Sequence, residues 1–204
     1  MRSLDELEEL FYWCTSGNNT LVVNVPPDQT GRIRENEANH IIALNKERLH
    51  LHQDRPLPVG SAWLTEGGMA TASSVYENNE EQYGAAYAID GGMQTRWAAD
   101  DVHAELVISF DGVKSFNKVV VFEHCDAVNS SDGFSNKRVN RIQSYRIDIW
   151  KDGDWECVYV SDELMGDCKV IRFPYIYQTD KIRLKVLNAS LPPSIDEIYV
   201  QGVD

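Results

Sequence analysis

Two groups of residues have side chains suited to chemistry. The first surrounds Asp90, where Asp90-Gly91-Gly92-Met93-Gln94-Thr95 sets a carboxylate, a hydroxyl and two glycines close together. A hard cation such as Ca2+ gathers about six to eight oxygens, and a glycine turn lets main-chain carbonyls converge on it. The other use of such residues is a hydrogen-bonded Asx turn with no metal. The second group is spread over three stretches: Tyr76 to Tyr83, Ala98 to His103, and the connection from His124 to Asn140. An aromatic face stacks on the apolar side of a sugar ring, while charged and amide groups bind its hydroxyls. The 17 residues from His124 to Asn140 read as irregular, longer than connections usually run, which directs attention to them. The candidate ligand-binding set is Tyr83, His103, Glu123, His124, Asn129, Phe134, Arg138 and Arg141. Within it, Glu123 and Arg141 either pair across the base of the connection or present charge to a ligand. His103 and His124 also read as ordinary loop histidines. Cys14, Cys125, Cys157 and Cys168 contain no C-x-x-C, so zinc and redox motifs are unsupported. Free thiols are expected; a bridge between Cys157 and Cys168, on neighbouring strand candidates, would depend on geometry.

The elements that must hold these residues are set by pattern and composition. The chain has 204 residues, 43% of them hydrophobic, enough to bury one core or two small ones. Its net charge of −13 argues against phosphate-backbone and anionic-membrane binding, and no apolar run reaches the ~18 residues of a spanning helix. Leu4, Leu7, Leu10 and Phe11 recur at helical spacing, with Ser3 and Glu6 placed for a capping box. Leu21-Val22-Val23-Asn24-Val25 has the near-continuous apolar character of a buried parallel strand. Pro26-Pro27 ends it, Asp28 to Gly31 reads as a turn, and a second helix is expected from about Asn36 to His50, with Ala38, Ile41, Ile42 and Leu49 inward. This α-β-α order cannot close a core alone and suggests one end of a larger α/β domain. Gln53 to Gly60 is a Pro/Gly linker. Beyond it the period becomes two, with strands expected at Glu105–Phe110, Lys118–Glu123, Tyr145–Trp150, Trp155–Val160, Val170–Phe173, Ile182–Leu187 and Ile195–Gln201. Short strands without intervening helices indicate an antiparallel β-sandwich or jelly roll.

Each side of the linker resembles a known family. Thr15-Ser16-Gly17-Asn18-Asn19-Thr20-Leu21-Val22-Val23-Asn24-Val25-Pro26-Pro27-Asp28, followed by Gly31-Arg32-Ile33, resembles the end of the catalytic barrel of the α-L-fucosidases of glycoside hydrolase family 29. The resemblance covers residues 1–52 and implies a helix, the eighth strand and the closing helix of a (β/α)8 barrel. From 61 to 204 the chain resembles the F5/8 type C (discoidin) domain, in its family 32 carbohydrate-binding branch, a galactose-binding-domain-like fold. The resemblance rests on Ala72-Ser73-Ser74-Val75-Tyr76, Ala86-Tyr87-Ala88-Ile89-Asp90-Gly91-Gly92-Met93-Gln94-Thr95-Arg96-Trp97 and Ile195-Asp196-Glu197-Ile198-Tyr199-Val200.

These resemblances imply specific roles. The family's nucleophile and acid/base lie upstream of the barrel segment, and Asp28 and Glu35 read as turn and early-helix acids, so this chain alone is not expected to hydrolyse glycosides. In the resembling modules a structural Ca2+ is held at the positions of Asp90, Thr95 and Glu197, with main-chain oxygens near Tyr87 and Gly92; Gln94 stands where relatives often have Asp. Trp97 and Trp155 are expected in the core. Galactose-binding relatives place an Arg and an Asn five residues apart before the strand matching Arg141 to Ile149, and here Val139 occupies the Asn position. The function implied is a non-catalytic module that binds glycan or a monosaccharide weakly and targets an α-L-fucosidase to it, with the catalytic domain of the same polypeptide as its other partner. The alternative is a sandwich that stabilises or shapes that catalytic domain without binding sugar. A monomer is expected, periplasmic or extracellular, with its signal peptide upstream of this stretch and no nucleic-acid or membrane partner.

Overall fold

A computed structural model describes residues 3–16, 20–52, 64–129 and 136–203. The chain divides into two compact units, Met1–Ala62 and Trp63–Asp204. No helix among the described residues is long and apolar enough to cross a membrane.

In the first unit, α1 (Leu4–Ser16) and α2 (Glu35–His52) are the regular elements. The capping box forms as expected: the Glu6 carboxylate accepts the Ser3 N–H at 2.6 Å and the Ser3 hydroxyl accepts the Glu6 N–H at 3.2 Å. Leu7, Tyr12 and Leu44 are buried. The expected inner stripe of α2 is not fully inward, because Ile42 is 52% exposed and Leu44 takes the buried position; Leu49 has no described side chain. The expected strand at 21–25 is absent: the segment joins no sheet among the described residues, and Val22 is 84% exposed. An apolar run becomes a parallel strand only beside other strands, and there are none among the described residues of this unit. Asp28 is a turn residue, its carboxylate accepting Thr30 N–H, Thr30 O–H and Arg32 N–H at 2.8, 2.7 and 3.1 Å. These bonds, with the Thr30 hydroxyl foremost, hold its pKa below the usual carboxylate value.

The second unit is an antiparallel β-sandwich. Its strands are β1 (Met69–Ala72), β2 (Trp97–Ala98), β3 (Glu105–Glu123), β4 (Asp126–Asn129), β5 (Asn136–Val139), β6 (Ile142–Lys151), β7 (Asp154–Ser161), β8 (Lys169–Ala189) and β9 (Ser194–Gly202), with a short helix α3 (Glu80–Tyr83). Seven of them are hydrogen-bonded in the order β2-β9-β3-β8-β6-β7, with β1 also on β3. Four expected strands are halves of two: Glu105–Phe110 and Lys118–Glu123 form β3, while Val170–Phe173 and Ile182–Leu187 form β8. The register of the pair shifts between Ser109 and Lys114 and between Phe116 and Lys118, so one half of β3 pairs with β1 and the other with β9. Such bulges bend a strand and let it serve both layers. The connection 124–140 is not wholly irregular either, since β4 and β5 pair from Asp126↔Val139 to Asn129↔Asn136. Between β6 and β7, Asp152 and Gly153 both have positive φ, 52° and 89°, the requirement of a tight two-residue hairpin.

The core lies between the layers. Trp97, Tyr145, Phe116, Leu106, Ile142 and Ile195 are fully buried in it, and Trp97 donates its indole N–H to the Ser74 carbonyl at 3.0 Å. Trp97 is thus a core residue as expected, whereas Trp155 is half-exposed, with the Arg183 guanidinium 4.5 Å above its ring. Asp148 of β6, fully buried, accepts Arg183 Nε and NH2 of β8 at 2.8 and 2.5 Å and Arg146 Nε at 3.1 Å, all on Oδ2. Arg183 also reaches Glu105 of β3 at 2.9 Å. This ladder crosses three neighbouring strands and fixes their register.

Candidate functional site

A cleft of about 310 Å3 opens where β8 turns into β9 and β6 begins. Tyr76 and Tyr83 line one part of it, from the turn Tyr76–Asn78 and from α3; Arg96, Ala98 and Ala99 enter from around β2; Arg141, Leu191, Pro192 and Ser194 complete the wall. Gly84 closes α3 because a side chain there would meet Glu80: a Cβ would lie 2.6 Å from the Glu80 carbonyl. That tight turn aims Tyr83 back at Tyr76, and the rings meet edge to face at 5.5 Å. Arg96 stacks over Tyr83 at 5.2 Å. Trp97 and Ala98 of β2 are buried, while Arg96, just before the strand, is half-buried and reaches the cleft.

Arg141 is held at both ends. Its N–H donates to Glu123 Oε1 at 2.6 Å, the Ile142 N–H donates to the same oxygen at 2.8 Å, and its NH1 donates to the Pro192 carbonyl at 2.8 Å. Glu123 is 2% exposed, and burial lifts its pKa to about 7, against the pull of the Ile142 and Arg141 N–H groups, the Asn140 amide and the Arg141 charge.

Beyond the cleft lies the loop around Asp90. Asp90 Oδ1 accepts the Gly92 N–H at 2.7 Å, Asp90 Oδ2 accepts the Thr95 hydroxyl at 2.8 Å, and Glu197 Oε2 accepts the Gly91 N–H at 2.8 Å. Gly91 has φ of 78°, a left-handed conformation suited to glycine. Glu197 Oε1 is buried without a hydrogen-bond partner among the described residues. A Cβ on Gly92 would lie 2.9 Å from Asp90 Oδ1 and 3.0 Å from Thr95 Oγ1, filling the cradle. Burial first, with the nearby Asp90 charge adding, raises the Glu197 pKa to about 8. Two carboxylates, one of them with an orphaned buried oxygen, a hydroxyl and the Gly92 carbonyl are oxygen donors of the kind a hard cation takes. Among the described residues there is no cluster of three or more His, Cys, Asp or Glu placed for a metal.

The F5/8 type C domain profile matches residues 69–198, from the start of β1 into β9. The chain belongs to the F5/8 type C domain family. It is also homologous to Alpha-L-fucosidase 1 of Arabidopsis thaliana, at 23% identity over 194 residues, 93% of this chain and 34% of that protein. It therefore spans about a third of the length of that curated relative. Among solved structures, a glycoside hydrolase family 29 fucosidase of Ruminococcus gnavus in complex with fucose aligns over 100% of this chain and 37% of that one, at 20% identity and a TM-score of 0.62. A family 32 carbohydrate-binding module of C. perfringens NanJ in complex with galactose aligns over 69% of this chain and 97% of that one, at 19% identity and a TM-score of 0.55. At these identities the structural matches establish the β-sandwich fold.

Within this F5/8 type C domain, the structure brings together Tyr83 and Arg141 of the expected ligand set. Glu123 is corrected: its carboxylate faces backbone N–H groups in the interior, neither ligand-facing nor committed to the Arg141 guanidinium. His124 pairs with Asp196 at 2.7 Å, and exposed His103 has its N–H on Asp101 at 2.9 Å; neither lines the cleft. Phe134 lies outside the described residues, as do the side chains of Asn129 and Arg138. Of the expected cation ligands, Asp90, Gly92, Thr95 and Glu197 do converge, and Tyr87 lies in the turn Ala85–Ile89 that leads into Asp90. None of the four cysteines is disulfide-bonded; Cys157 is exposed and Cys168 buried. Tyr76 fell in the expected stretch Tyr76 to Tyr83, whereas Arg96, Leu191, Pro192 and Ser194 are cleft residues the sequence reading left out. Arg96 sits beside the core Trp97 in the quoted pattern, but it precedes β2 and no periodicity marked it.

Proposed function

We propose that the sandwich is a carbohydrate-binding module whose glycan lies in the Tyr76–Tyr83–Arg96–Arg141 cleft. The observation that carries this reading is the cleft's composition: two packed tyrosines offer an apolar ring surface, and a guanidinium anchored through its backbone and NH1 offers directed donors. Pre-anchoring Arg141 reduces the ordering cost of binding. The galactose held by the structurally similar NanJ module supports the same ligand class. One shallow site suggests a Kd of about 0.1–1 mM. In the longer polypeptide suggested by the fucosidase relatives, such a site keeps an α-L-fucosidase near glycan and raises its effective substrate concentration. Asp90, Thr95 and Glu197, with the carbonyls of Tyr87 and Gly92, would hold a structural Ca2+. The ion would neutralise the two carboxylates and tie the loop to β9.

Isothermal titration with D-galactose and L-fucose tests the reading, with millimolar binding abolished by Tyr83→Ala as the expected result. No heat up to about 50 mM of either sugar would point instead to a sandwich that only supports its catalytic domain, the reading favoured by Val139 at the expected Asn position. In that case deleting the module from the longer enzyme would impair folding or turnover on a small substrate.

A further inference from the structure

We infer that the ligand of the cleft is an acidic saccharide, with a carboxylate or sulfate seated between Arg96 and Arg141; this rests on the cleft being a sugar site. Sugar hydroxyls both give and take hydrogen bonds, so a site for a neutral ring supplies acceptors as well as donors. This wall has no carboxylate acceptor, since no Asp or Glu lines it. Its acceptors are the hydroxyls of Tyr76, Tyr83 and Ser194 and main-chain carbonyls, of which the Pro192 carbonyl takes Arg141 NH1 and the Ser194 carbonyl takes the His124 N–H. Donors are plentiful by comparison. Arg96 rests on the Tyr83 ring, and no carboxylate or carbonyl among the described residues pairs with its guanidinium.

An anionic group needs only donors, and guanidinium forks match the geometry of carboxylate and sulfate oxygens. Two cations in one concave site also stand out on a chain with net charge −13. Glu77 first and Asp100 less so raise the pKa of the Tyr76 phenol, whereas Glu123, beside Arg141, is buried with its carboxylate turned to backbone N–H groups. The ring of the ligand is therefore expected over the tyrosines and its charge on the arginine side.

The test titrates the full chain with D-galactose, D-galacturonate and D-galactose 6-sulfate at low salt, then at about 0.5 M NaCl. Binding of an acidic sugar about tenfold tighter than galactose, with the advantage shrinking in salt, is expected; the two acidic arms tell carboxylate from sulfate. Arg96→Gln should cut that preference about tenfold and Arg96→Lys should retain part of it, with circular dichroism checking the fold of each. Equal or tighter galactose binding would overturn this inference and leave the sugar site standing. Binding of none of the three would overturn the sugar reading itself. A preference unchanged in Arg96→Gln would overturn the placement of the anion.

Discussion

Replacing Glu123 by Gln should make the sandwich more stable at pH 8 and leave it nearly unchanged near pH 4.5. The carboxyl sits in the interior at the end of β3, and both backbone donors that reach it, Arg141 N–H and Ile142 N–H, go to the same oxygen, at 2.6 and 2.8 Å. A Gln side-chain oxygen keeps both bonds, and only the weak 3.4 Å contact of the Asn140 amide with the other oxygen is disturbed. Burial raises the pKa from 4.5 to about 7, so the folded state holds the proton more tightly than the unfolded one. The associated stability is fully present below pH ~4.5 and is lost as pH climbs through about 7. That rise corresponds to on the order of 3 kcal/mol, an upper figure because water reaching the site would reduce it. Urea unfolding followed by near-UV circular dichroism, to which buried Trp97 contributes, measures the difference at pH 4.5, 6 and 8. Glu197, whose pKa is also raised, contributes equally to both proteins and cancels. Glu123→Leu is the contrasting variant: it strands both N–H groups and, relative to Glu123→Gln, should cost about 1–3 kcal/mol for each at every pH. A difference between wild type and Glu123→Gln that stays flat from pH 5 to pH 8 would refute the reasoning.

Other outcomes follow from the same geometry. Ca2+ at about a hundred times its Kd should stabilise the sandwich by about 2.7 kcal/mol, seen as a rise in Tm; Gly92→Ala, whose Cβ would lie 2.9 Å from Asp90 Oδ1, should abolish that rise. Arg183→Met should destabilise by about 3–5 kcal/mol in denaturant unfolding, because fully buried Asp148 loses its main partner. Trp97→Ala should cost about 3–5 kcal/mol by the same measurement, through the cavity it leaves and the Ser74 carbonyl it strands.

The strands whose sides alternate without interruption were legible. Ile182, Leu184 and Val186 alternate with Lys181, Arg183 and Lys185, and β6, β7 and β9 fall close to where the period of two places them. The continuity of β3 and β8 was not legible, because Asp111-Gly112 and Pro174 carry turn chemistry. In the sandwich Gly112 has φ of 140° and lies in the register shift after Ser109. Pro174 lies in the unpaired stretch opposite the second shift, where a missing N–H costs no ladder bond. Leu21 to Val25 misled for the opposite reason. Its side chains suit a buried strand, but pairing is a property of neighbours, and no strand lies beside it among the described residues of this unit. At the Asp90 loop the convergence of side chains was legible in the residue pattern, since Asp90, Gly92 and Thr95 are local and only Glu197 comes from a distant strand. The cleft was half legible. Tyr83 and Arg141 stand out by type, but Glu123 looked like a surface acid because its burial follows from β3 and β6 meeting, which no local window contains.

The central claim is that a sugar occupies this cleft. An NMR titration of the 15N-labelled chain with galactose and galacturonate tests it most directly. The account predicts saturable shifts at millimolar sugar confined to the amides of 76–83, 96–99, 141–142, 190–191 and 194, lost in Tyr83→Ala. Shifts gathered elsewhere, such as on the outer face of β6 and β8, or no shifts at about 50 mM, would contradict it.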